Sequence, residues 1–63
     1  MSWTSCMQNK IINHYGSEAS ECVSGIEKDN LEKIAECIAN VVLDANEEAV
    51  LTNLTAWSVE CEL

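Results

Sequence analysis

Four cysteines and one histidine are the residues of this chain best equipped for chemistry: Cys6, Cys22, Cys37, Cys61 and His14. Cysteine can ligate zinc, attack as a thiolate or close a disulfide. Neighbouring cysteines lie 15 to 24 positions apart. No C-x-x-C pair therefore supplies half of a tetrahedral site, only His14 is available to supplement the cysteines, and no metal is expected. Ser5 or Cys6 with His14 is the one nucleophile–base pairing on offer. Nothing marks Ser5 or Cys6 as activated, and a lone His beside Tyr15 near a helix end is ordinarily a surface or boundary residue. The adjacent Glu47 and Glu48 read more simply as first-turn helix residues, where the positive end of the helix dipole favours carboxylates. No catalytic residue and no cofactor site is expected, and the chain reads as a non-enzyme.

What the cysteines do then depends on compartment. The N-terminal stretch "MSWTSCMQNKII" has no early cationic region and no continuous apolar segment before a small-residue cleavage site. No run is long enough to span a bilayer. A cytoplasmic protein with four reduced cysteines is the expectation, each acting as a small buried hydrophobe. The alternative is a secreted helical domain stapled by two disulfides, for which four cysteines allow three connectivities.

Charge narrows the partners. Eleven acidic residues against three lysines, with no arginine, give a net charge of −8. Nucleic-acid affinity comes largely from Lys and Arg displacing counterions, so direct DNA or RNA binding is excluded. Anionic membranes are disfavoured for the same reason, and no basic amphipathic stretch offsets it. A protein partner with a basic surface remains.

These residues must be positioned by helices. No Pro occurs, Gly16 and Gly25 are the only glycines, and apolar residues recur at spacings of three and four. Trp3, Met7, Ile11 and Tyr15 climb one face of a first helix from about Thr4 to Tyr15, with Ser5 and Gln8 as a capping box. Gly16 fits the left-handed position that closes it, and Ser17 caps the next helix. That second helix holds Ala19, Cys22, Val23 and Ile26, with Gly25 as a weak point. Asp29 and Glu32 form a further capping box, and Asp29 with Lys33 a helpful i,i+4 pair. The third helix carries the clearest stripe: Leu31, Ile34, Ala35, Ile38, Val41, Val42 and Ala45.

Beyond Asn46 the apolar positions are Val50, Leu51, Leu54, Trp57 and Cys61. At 100° per residue their stripe lies roughly 140° around from that of the third helix, so one straight helix would aim its halves in different directions. A turn at Asp44-Ala45-Asn46 lets both point inward, with Asp44 or Asn46 as N-cap. A single long helix shared with a neighbouring subunit is the competing account.

Sixty-three residues make one domain, spanning 1–63, near the lower size limit for folding alone. Phe is absent, and six of the apolar residues are Ala. Oligomerisation is the expected extra stabiliser. The expectation is an all-α chain of three or four short helices, with a helical hairpin in the C-terminal half, forming a dimeric bundle. Leu31, Ile34, Ile38, Val41, Val42, Leu54 and Trp57 are the candidates for the dimer seam or partner surface. Trp3 and Trp57 each read as an anchor of the chain's own core or seam, or else as an exposed hot spot for another protein.

Acyl carriers are also small, acidic and helical, but their prosthetic group attaches to the Ser of a D-S-L motif, and "VSGIE" around Ser24 is no substitute. The size, the acidity and the Glu-rich stretch "EKIAECIANVVLDANEEAVL" resemble short accessory proteins from early regions of temperate (lambdoid) bacteriophages. Antitoxins and small bacterial regulators share the style. The resemblance implies a non-enzymatic regulator or adaptor that binds host or phage proteins in the host cytoplasm, in its sharper version as a nucleic-acid mimic. It carries no motif from which a site residue transfers.

Overall fold

The computed structural model describes residues 2–23 and 30–62. Four α-helices form the fold, and no strand occurs among the described residues. They are α1 (Trp3–Tyr15), α2 (Ser17–Ser20), α3 (Leu31–Val41) and α4 (Glu47–Glu62), with a 3₁₀ turn, Glu21–Val23, continuing α2. The readings placed on Gly25, Ile26 and Asp29 fall outside the described residues.

Helix α1 starts at Trp3, one residue before the expected Thr4, and its N-cap lies three residues before the Ser5 of the capping-box reading. Ser2 is the N-cap: the Ser5 N–H donates to Ser2 Oγ at 3.1 Å, and the Ser2 hydroxyl donates to Ser5 Oγ at 3.0 Å. Ser5 is thus a residue of the first turn, and Gln8 has no capping role. A serine three places before an N–H that lacks a partner satisfies it equally well at either site; starting at Ser2 also brings Trp3 into the helix.

Gly16 closes α1, but not in the left-handed helical conformation. Its φ of 107° and ψ of 168° lie in an extended region that only glycine adopts readily. Its N–H is shared between the Ile11 and Ile12 carbonyls, at 3.2 and 3.1 Å. The chain reverses sharply enough that α2 begins at the next residue. Gly16, not Ser17, is therefore the N-cap of α2, and the Ser17 carbonyl accepts from the Ser20 hydroxyl at 2.7 Å.

The C-terminal half is a helical hairpin. Val42 is extended, with φ −105° and ψ 109°, and ends α3 by donating to the Ile38 carbonyl at 2.8 Å. Across the turn, Ala45 donates to the Val42 carbonyl at 3.1 Å. Asn46 caps α4 by accepting the Ala49 N–H on Oδ1 at 2.8 Å. The stripe read through Ala45 is consequently split: α3 stops at Val41, and Val42 and Ala45 reach the core edge from the turn.

Met7, Ile11, Ala19, Cys22, Val23, Ile34, Ala35, Ile38, Val50 and Leu54 form one core. Helix α4 packs against α3 on one side and α1 on the other, and α2 with its 3₁₀ turn bridges α1 to α3. The partners of Cys6, Lys10 and Tyr15 on α4 are Cys61, Glu60 and Asn53. Positions on α4 fall as those on α1 rise, so these two helices are antiparallel.

Candidate interaction surface

All four cysteines are paired. Cys6 in the first turns of α1 bonds Cys61 in the last turn of α4, and Cys22 in the 3₁₀ turn bonds Cys37 in the middle of α3. Their Cα–Cα separations, 5.7 and 5.8 Å, fall within the range that a disulfide spans. Reduced cysteines were the expectation, and the packing replaces it. The antiparallel α1–α4 pairing sets Cys6 beside Cys61, while Cys22 and Cys37 meet where the bridging turn crosses α3. Sequence separations of 55 and 15 correspond to about 4 and about 3 kcal/mol of denatured-state restriction.

The α1–α4 seam is otherwise polar at its edges. Trp3 Nε1 donates to Ser58 Oγ at 3.1 Å, and Asn53 Nδ2 donates to the Tyr15 hydroxyl at 2.8 Å. Lys10 meets Glu60 at 3.1 Å in an exposed ion pair, a geometry worth little in water. His14, Tyr15 and Trp57 form an edge-to-face ring cluster, with centroids 4.6 to 5.9 Å apart. Both tryptophans are half-buried and packed on the core. His14 is thus engaged with rings, Cys6 lies in a disulfide, and Ser5 Oγ accepts from Ser2. Sequence reasoning missed Ser58 and Asn53. Ser58 follows Leu54 by one helical turn, so it lies on the apolar face of α4, and a polar residue there signals a buried partner.

Of the seven candidate surface residues, Ile34, Ile38 and Leu54 are 0% exposed inside this chain's own core. Leu31, Val42 and Trp57 are half-buried at its edge, and Val41 is 39% exposed. The structure therefore gathers six of them into or against one intramolecular core and leaves Val41 facing outward, near the hairpin tip where Leu43 is 96% exposed.

Between α3 and α4 lies an open groove of about 840 Å³. Leu31 and Leu51 provide apolar ground, and Glu32, Glu36 and Glu47 set carboxylates around it, with Lys33 among them. Helix α3 presents Glu32, Lys33, Glu36 and Asn40 outward because its apolar residues are committed to the core. The groove offers cation-binding oxygens around a small hydrophobic floor. Among the described residues, no three His, Cys, Asp or Glu side chains converge to hold a metal, and no helix is long and apolar enough to cross a membrane.

No protein-family model, curated protein or solved structure matches the chain.

Proposed function

We propose that this chain is a small, non-enzymatic regulatory or adaptor protein that engages a basic surface on a protein partner. The observation that carries this reading is the α3–α4 groove, where Glu32, Glu36 and Glu47 surround Leu31 and Leu51 in a molecule of net charge −8. Like-charged surroundings repel nucleic acid and anionic lipid and favour a Lys- or Arg-rich protein surface. On this reading the chain works in the cytoplasm, as the resemblance to phage early-region proteins implies, and competes with nucleic acid if its partner is a DNA- or RNA-binding protein. A homodimer is part of the proposal.

The test is cross-linked capture of partners from the source cell by the wild-type chain and by a Glu32→Lys, Glu36→Lys variant whose helical circular dichroism is unchanged. Partners with basic surfaces that are lost on charge reversal, and weakened by added salt, support the reading. Binding that ignores both changes refutes it.

The second reading is a secreted, disulfide-stapled helical signalling domain. The specific observation in its favour is that every cysteine is paired, since disulfides persist chiefly in oxidising compartments. Thiol counting on protein alkylated at the moment of cell lysis separates the two. Four free thiols would eliminate the secreted domain, and four paired cysteines at lysis would favour it over the cytoplasmic adaptor.

A further inference from the structure

The two disulfides differ in where they sit. Cys22 belongs to the buried core, 4% exposed, and Cys37 is half-buried in the middle of α3, flanked there by Ile34, Ala35 and Ile38. Cys6 and Cys61 are half-buried like Cys37, but neither has a buried partner, and each lies near the outer end of its helix, where local opening is least costly. Thiol–disulfide exchange requires a thiolate to reach one sulfur, so access and local opening set the order in which disulfides yield.

We propose that Cys6–Cys61 is a reducible clamp and Cys22–Cys37 a protected pin, so that a dithiol opens the α1–α4 seam while α1 stays tethered to α3. In the first step a thiolate of the reagent attacks the sulfur of Cys6 or Cys61, forming a mixed disulfide and releasing the other cysteine as a thiolate. The second thiol of the reagent then displaces the remaining cysteine. The protein gains two thiols, and the reagent departs as a cyclic disulfide. Without the clamp, only non-covalent contacts resist opening of the seam: the exposed Lys10–Glu60 pair, the Trp3–Ser58 and Tyr15–Asn53 hydrogen bonds, and the packing of Met7 and Ile11, which give way together as it opens. The pin still holds the bridging turn to α3, and the apolar α3–α4 hairpin is untouched. Opening is thus hinged, and it uncovers the Trp3 and Trp57 rings together with the core residues beneath them.

The experiment is a dithiothreitol titration of the intact oxidised chain, quenched by alkylation, mapped by peptide mass spectrometry and followed by tryptophan emission. A two-thiol intermediate labelled at Cys6 and Cys61 is expected, at reagent concentrations about tenfold below those that open Cys22–Cys37. Its tryptophan emission should be red-shifted while most far-ultraviolet helicity remains. A Cys6→Ser, Cys61→Ser double variant should reproduce that spectrum without reductant. Labelling of Cys22 and Cys37 first, loss of both disulfides in one step, or an intermediate with unshifted emission would each overturn the proposal. Should the double variant fail to fold, the labelling order in the wild-type chain decides alone.

Discussion

Gly16 is hard to replace at the backbone. Its φ of 107° is strained for any side chain, yet nothing lies within 4 Å of where a Cβ would stand. The cost of Gly16→Ala is therefore backbone strain rather than a clash, about 1–3 kcal/mol. Chemical denaturation should register that loss with an unchanged slope. Asn46 acts through its side chain instead: Asn46→Ala removes the acceptor for the Ala49 N–H and should cost about 1 kcal/mol by the same measurement. A serine or aspartate at position 46 should restore most of it, which a purely packing role would not allow. At α4 the sequence left Asp44 and Asn46 both open as caps, and the structure uses Asn46. The cap of α1 was misread because Thr4 and Ser5 offered a hydroxyl oxygen of the same kind as Ser2.

At the scale of elements, the hairpin decides what α3 and α4 can bury. Ile38 is fully enclosed between them, so Ile38→Asp should destabilise the chain by about 4 kcal/mol or more, visible as loss of cooperative thermal unfolding. Ala45→Gly, by contrast, falls in the turn and should cost well under the about 1 kcal/mol of a mid-helix glycine. Equal and large losses at both positions would contradict the hairpin. The turn was readable because the apolar stripes on its two sides point in incompatible directions on one helix. The disulfide pairing was not, since cysteine spacing says nothing about which helices meet, and the connectivity follows only from the antiparallel α1–α4 contact and the crossing of the 3₁₀ turn over α3. The candidate seam suffered similarly: periodicity marks Ile34, Ile38 and Leu54 as apolar but cannot say whether the chain itself or a second copy covers them.

For the whole molecule, a Cα radius of gyration of 10.2 Å and a longest extent of 30 Å describe a chain already compact by itself. A compact chain of this length is expected near 10.6 Å by the usual scaling, roughly the same value. The proposed homodimer must therefore draw on what remains outside, which among the described residues is chiefly Val41 and Leu43 at the hairpin tip, and Ile12 and Val59 elsewhere. Light scattering coupled to size exclusion should give twice the chain mass if the proposal is right, and Leu43→Asp should shift the species towards monomer if the tip is the contact. The nesting of the two disulfides has its own consequence for breakage. Among the described residues the most exposed large apolar side chain, Leu43, sits in the hairpin turn, inside the loop that Cys6–Cys61 closes. A protease that cuts after Leu43 would leave two fragments still covalently joined, with α4 held by its far end. Such a nicked protein should run as a single species on a non-reducing gel and separate into two only with reductant, so the outer disulfide makes a cut at the exposed hairpin turn one that releases nothing.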